Sequence, residues 1–152
     1  MKLRVYADTS VFGGCFDEEF LDYSTILIEK FRKGDKLLIV SDLTLLELQK
    51  APRQVLETYD SIPSPFIDFV VLDPEAKFLA KKYIDEKAIS EGSLVDAQHI
   101  AAASINRVDV LVSWNFKHIV NFRRIQLYNA TNLKYGYPLI EIRSPREVID
   151  ES

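Results

Sequence analysis

The sequence predicts a three-layer α/β/α sandwich built on a central, mainly parallel five-stranded sheet. Three observations carry this. Short apolar or β-branched segments alternate with longer helical patterns along the chain, as a parallel sheet with crossover helices requires. Chain breakers fall between these segments and not inside them. The composition, 47% hydrophobic and 28% charged over 152 residues, is that of an ordinary globular protein with a core to bury. Against roughly 100–200 residues per domain, this length points to one unit spanning residues 1–152, and no internal repeat, low-complexity tract or linker divides it.

The elements follow in order. Leu3–Ala7 reads as the first strand, and because the chain reaches Asp8 before an apolar core can form, a strand is expected here and not a secretory leader. Gly13-Gly14 reads as a flexible turn, since no Gly-Lys-Ser/Thr follows to make a phosphate loop. A helix over Phe20–Arg32 is closed by Gly34, and Lys36–Val40 is the second strand. Helical patterns cover Asp42–Lys50 and Pro52–Tyr59, then Pro63 and Pro65 break the chain before a third strand at Phe66–Leu72. Pro74–Lys87 and Ser93–Asn106 are helical with Gly92 between them, and Val108–Val112 is the fourth strand. Part of Asn121–Tyr135 is helical, and Pro138 precedes a last strand at Leu139–Ile142. The apolar runs Leu37–Val40 and Phe69–Leu72 are four residues each, far from the ~20 that a bilayer span needs, so no membrane association is expected.

Charge and cysteine content narrow the function. Nineteen Lys and Arg against 23 Asp and Glu give a net charge of −4, so any nucleic-acid site must be local. Cys15 is the single cysteine; this excludes an internal disulfide and Cys-rich metal sites, and it suits a reducing, cytoplasmic setting. In open parallel sheets, ligands bind beyond the C-terminal ends of the strands. There the sequence puts Asp8-Thr9-Ser10 after the first strand, the helix carrying Glu47 after the second, and Ser113-Trp114-Asn115 after the fourth. Asp96 lies in the first turn of the helix that leads into the fourth strand. Convergence of Asp8, Glu47, Asp96 and Asn115 would give an oxygen-only donor set of the kind hard divalent cations such as Mg²⁺ take.

Each of these residues also has a structural reading. Asp8 fits a strand-end turn or helix cap. Ser93-Leu94-Val95-Asp96 fits a capping box, as does Thr44-Leu45-Leu46-Glu47, although Asp42 makes an equally good cap for that helix. Asn115 after a strand is a routine turn former. Only the conjunction raises the chemical reading above these.

The segments Val5-Tyr6-Ala7-Asp8-Thr9-Ser10-Val11-Phe12, Ser41-Asp42-Leu43-Thr44-Leu45-Leu46-Glu47-Leu48, Val95-Asp96-Ala97-Gln98-His99-Ile100-Ala101-Ala102-Ala103 and Val110-Leu111-Val112-Ser113-Trp114-Asn115-Phe116 occur in an order that resembles the PIN-domain nucleases, among them the VapC-like toxin ribonucleases. The resemblance runs from about Leu3 to Ile142. It implies an Mg²⁺- or Mn²⁺-dependent endoribonuclease, with Asp8, Glu47 and Asp96 as metal-holding acids and 3′-hydroxyl and 5′-phosphate products. It also implies a homodimer and a protein antitoxin that covers the active edge. Asn115 falls where the family often has a fourth acid, which leaves the cluster at most −3. Two ions would then need the substrate phosphate to complete their coordination, and a PIN-like module that binds RNA or protein without turnover is the alternative.

From Val110 to Ile140 there is no acidic residue, while Lys117, Arg123, Arg124 and Lys134 are cationic. Lys117, Arg123 and Arg124 are the candidate contacts to a phosphate backbone, with Ser10 as a minor one. Trp114, Phe116, Phe122 and Tyr128 are candidates for stacking on single-stranded bases, or equally for the core. His99 and His118 could both approach the same edge, and a structural role is the expectation for each; His118 is the better functional candidate, as a hydrogen-bond partner of phosphate, and neither belongs to the expected catalytic set. An aspartate-nucleophile phosphatase fits poorly, because Ser10 and not a second Asp stands two positions after Asp8.

Overall fold

The computed structural model describes residues 2–149; the ends of the expected unit, residue 1 and residues 150–152, lie outside the described residues. In chain order the elements are β1 (Arg4–Ala7), α1 (Thr9–Gly13), α2 (Leu21–Arg32), β2 (Leu37–Ser41), α3 (Asp42–Lys50), α4 (Arg53–Asp60), β3 (Ile67–Val70), α5 (Pro74–Asp85), α6 (Leu94–Ile105), β4 (Val110–Val112), α7 (Phe122–Lys134), β5 (Ile142–Arg143) and α8 (Pro145–Val148). The strands form one sheet in the order β3-β2-β1-β4-β5, and every pairing is parallel.

Strand periodicity sorts the side chains onto two faces. Val5 and Ala7 of β1, Leu38 and Val40 of β2, and Val110 and Val112 of β4 pack with Val11, Phe12, Leu27, Ile28 and Phe31 on one face. Tyr6, Ile39, Leu111 and Ile142 pack with Leu79, Tyr83, Ile100 and Tyr128 on the other. Both faces are covered, which is why the strands read as nearly continuous apolar runs. Four alanines of α6, Ala97 and Ala101 to Ala103, are fully buried and let this helix lie close to its neighbours.

Most boundaries move by a residue or two from the sequence expectation, and three differences have clear causes. The last strand begins at Ile142 and not at Leu139, because Asn129 of α7 takes the Ile140 backbone out of the ladder. Its Oδ1 accepts from Ile140 N at 2.7 Å and its Nδ2 donates to Ile140 O at 3.2 Å. Gly13-Gly14 is no flexible turn: Gly13 ends α1 and Gly14 opens a 3₁₀ turn. A Cβ on Gly14 would collide with Ser24 Oγ and lie 2.6 Å from Trp114 Nε1, so only glycine fits that contact. The short α8, unforeseen in the sequence, is a Ser144–Glu147 capping box that packs onto α2. Gly34 ends α2 as expected, with φ at +76°.

Candidate active site

The sheet order reverses at β1. The chain builds outward from β1 to β2 and β3, then returns to add β4 and β5 on the other side. A crevice opens at such a switch point because the helices following the two central strands leave in opposite directions. Here it lies beyond Ala7 and Val112, which are partners in the β1–β4 register. The next residues along the two strands are Asp8 and Ser113.

Asp8 is buried at 7% exposure. It occupies the N-cap position of α1, yet its side chain makes no capping bond. The carboxylate accepts instead from Ser10 Oγ at 2.6 Å on Oδ1 and from Ser113 Oγ at 2.7 Å on Oδ2. Each hydroxyl is held in turn by backbone: Trp114 N donates to Ser10 Oγ at 2.9 Å, and Asn115 N to Ser113 Oγ at 2.9 Å. Ser10 therefore positions Asp8 in this structure. Burial pushes the Asp8 carboxyl above its ordinary range; Glu47 adds to the rise, while His99, Ser10 and Ser113 oppose it.

Glu47 sits on the second turn of α3. The cap of that helix is Ser41, whose side chain forms a reciprocal box with Thr44, so neither Asp42 nor Glu47 has a capping role. Asp42 Oδ1 instead accepts from Leu72 N at 2.9 Å and ties down the end of β3. Glu47 Oε1 accepts from Thr9 Oγ1 at 2.9 Å and pairs with His99 Nε2 at 2.7 Å. Burial alone would raise this carboxyl, but the His99 hydrogen bond and charge, with Thr9, bring it below its ordinary range. Among the described residues Oε2 has no hydrogen-bond partner.

Asp96 is in the first turn of α6, and the Ser93 box expected for it does not form, since Ser93 makes no side-chain cap. Its carboxyl is raised by burial and by Glu47, with His99, His118 and Asn115 opposing. For all three acids, then, the capping alternative is absent. Asn115 behaves differently. Its Oδ1 accepts from Lys117 N at 3.2 Å and His118 N at 2.9 Å, the turn-forming role open to any asparagine here. Its Nδ2 lies 3.4 Å from Asp96 Oδ2. Asn115 thus presents an amide donor to the pocket and spends its carbonyl oxygen on the loop.

The basic stretch divides. Arg124 is a structural latch, its guanidinium donating to the carbonyls of Lys117 and Ala88 at 3.0 Å each. Lys117 and Arg123 are exposed. The aromatics divide likewise. Tyr128 is buried. Trp114 stacks on Phe20 with centroids 4.1 Å apart and donates from Nε1 to Ser24 Oγ. Phe116 and Phe122 are 50% and 80% exposed and remain available to a partner. His118 Nδ1 is buried without a hydrogen-bond partner among the described residues.

The acids offer carboxylate oxygen only, the donor chemistry of Mg²⁺ or Mn²⁺ and not of zinc or copper. Among the described residues, no group of three or more His, Cys, Asp or Glu side chains closes tightly enough to hold an ion as it stands. The acids are linked electrostatically instead: Glu47 raises both Asp8 and Asp96. Two carboxyls pushed upward beside a third held ionised make a pocket that a cation would relieve. The donor set fits the ion in chemistry, and Glu47 Oε2 and Asp96 Oδ1 carry no hydrogen bond among the described residues that would have to be broken.

No protein-family model and no curated protein matches the chain. Solved structures do. A chain of the VapBC2 complex from Rickettsia felis, bound to a DNA fragment from its promoter, matches with a TM-score of 0.58 at 14% identity, over 93% of this chain and 98% of that one. VapC20 of Mycobacterium tuberculosis, a toxin that cleaves the sarcin-ricin loop, matches with a TM-score of 0.57 at 13% identity, over 75% and 92%. A chain of FitAB bound to an IR36 DNA fragment matches with a TM-score of 0.59 at 10% identity, over 93% and 94%. At these identities the likeness speaks to the fold alone, and the fold is PIN-like, of the VapC kind. No helix among the described residues is long and apolar enough to cross a membrane.

Proposed function

We propose that this chain is a divalent-metal-dependent endoribonuclease that acts as the toxin of a toxin–antitoxin pair. What supports the reading is that Asp8, Glu47 and Asp96 have no capping work to do and are coupled electrostatically, Glu47 raising the carboxyls of both aspartates. When bound there, Mg²⁺ or Mn²⁺ supplies Lewis acidity to the scissile phosphate and to an attacking water. The chain's own residues do the rest. Ser10 and Ser113 orient Asp8, while Thr9 and His99 orient Glu47. Glu47 Oε2 and Asp96 Oδ1, which carry no hydrogen bond among the described residues, would be the oxygens offered to the ion. Lys117, in the loop after β4, and Arg123, in the first turn of α7, are both exposed and contact the flanking phosphates, and Phe116 and Phe122 offer faces to unpaired bases. Cleavage of the sarcin-ricin loop by VapC20 supports RNA as the substrate class. The VapBC2 and FitAB complexes support a protein antitoxin as partner, and the proposal includes the homodimer and the cytoplasmic setting expected from the sequence.

A second reading, an RNA- or protein-binding module without turnover, draws on the commitment of the Asn115 oxygen to its own loop. One assay separates the two: single-stranded RNA incubated with the protein and Mn²⁺, beside the Asp96→Asn variant. Products that need both Mn²⁺ and Asp96 support the nuclease. Binding without products supports the module.

A further inference from the structure

His99 is 1% exposed, and both of its ring nitrogens are paired with side chains from other elements. Nε2 lies 2.7 Å from Glu47 Oε1, and Nδ1 lies 2.7 Å from the hydroxyl of Tyr6. The Tyr6 hydroxyl continues to Ser41 Oγ at 2.8 Å. An ionised carboxylate only accepts, so Nε2 donates to Glu47, and the Tyr6 hydroxyl bridges Nδ1 of the ring to Ser41 Oγ.

The chain joins the three elements that carry the acids. Tyr6 lies two residues before Asp8 and on the same side of β1, His99 lies three residues after Asp96 on α6, and Ser41 caps the helix of Glu47. A ring needed only to fill space would not require a side-chain partner at each nitrogen, one of them the Glu47 carboxylate.

We propose that His99, backed by Tyr6, is the positioning residue for Glu47: it fixes Oε1 so that Oε2 is presented to a cation shared with Asp8 and Asp96. This rests on the metal-dependent reading above. Partners that orient a metal ligand through a second hydrogen bond typically contribute 10–100-fold to metal affinity or activity. The test is Mn²⁺ affinity, measured by electron paramagnetic resonance on the folded protein without RNA. His99→Leu is expected to weaken Mn²⁺ binding by about 10–100-fold. His99→Gln, whose amide can still donate to Oε1, is expected to recover most of that loss. In a Glu47→Gln background His99→Leu is expected to have no further effect, because its influence runs through Glu47. Should His99→Leu fail to fold, Tyr6→Phe, which removes only a hydroxyl, is read in the same cycle, with a smaller loss that also vanishes in the Glu47→Gln background. Unchanged Mn²⁺ affinity in the folded variant overturns the inference, and so does an equal loss with and without Glu47. Wild-type protein that takes up no Mn²⁺ overturns the metal reading itself, and this inference with it.

Discussion

Replacing Asp8 by Asn separates the cost of the acidic pocket from its use. The substitution keeps the shape and one carbonyl oxygen for Ser10 Oγ. Its new amide faces Ser113 Oγ, which already accepts from Asn115 N and has a second lone pair to offer. The Asp8 carboxyl has a raised folded-state pKa, so its favourable contribution is complete below the ordinary 3.8 and is lost as pH rises through the folded value. At neutral pH the ionised group therefore weighs against the metal-free fold. Asp8→Asn should melt at or above the wild-type temperature at pH 7 without metal, and the difference should shrink as the pH is lowered toward 3.8. With Mn²⁺ the order reverses. At 100 times its Kd the ion stabilises wild type by about 2.7 kcal/mol, which for a chain of this length raises Tm by about 5–11 °C. Loss of a ligand costs at least the ~100-fold that loss of an outer partner can cost, which leaves ~0.4 kcal/mol, or about 1–2 °C, at the same concentration. Scanning calorimetry with and without MnCl₂ reads both effects. Equal Mn²⁺-induced shifts in the two proteins would refute the assignment of Asp8 as a ligand.

Asn115→Asp places a fourth carboxylate beside Asp96 while keeping an oxygen for the Lys117 and His118 amides. It should lower the metal-free Tm by about 2–4 °C, the equivalent of ~1 kcal/mol, and enlarge the Mn²⁺-induced rise; a smaller rise would show that this position faces away from the ion. Gly14→Ala forces a Cβ against Ser24 Oγ and the Trp114 indole, and overpacking of this kind costs about 1–3 kcal/mol, read by urea unfolding together with Trp114 fluorescence. An unchanged unfolding midpoint would mean that the contact yields freely. Lys117→Ala and Arg123→Ala should each weaken single-stranded RNA binding across sequences and reduce the slope of log K against log salt by about 0.7, measured by fluorescence anisotropy. Arg124→Ala should instead lower stability, because its guanidinium holds two backbone carbonyls.

The layered fold and the acidic edge were legible in the sequence because both rest on local patterns. Alternating strand and helix periods give the three layers, and an acid directly after a strand is positioned by that strand. The structural alternatives were not resolvable there. Ser93-Leu94-Val95-Asp96 matches a capping box in residue types, and only the backbone of Ser93, at φ −113° and ψ 35°, shows that no box forms. Ser41 as the cap of α3 was missed because Asp42 is as good a cap by residue type. A turn role is open to any asparagine after a strand, and the Asn115 carbonyl oxygen fills it through the Lys117 and His118 amides. His99 read as structural because its partners are remote: Tyr6 is 93 positions away and Glu47 is 52. The usable signal was its place one turn after Asp96, together with Tyr6 on the side of β1 that carries Asp8. Arg124 read as a phosphate contact because a sequence carries no sign of which carbonyls a guanidinium will meet.

Crystals soaked in MnCl₂ and measured at a wavelength where manganese scatters anomalously give the most direct test. An anomalous peak is expected between the carboxylates of Asp8 and Asp96, within ligand reach of Glu47 Oε2, together with its loss in Asp8→Asn crystals. A difference map with manganese bound elsewhere and none at this crevice, from protein that still cleaves RNA, would contradict this expectation.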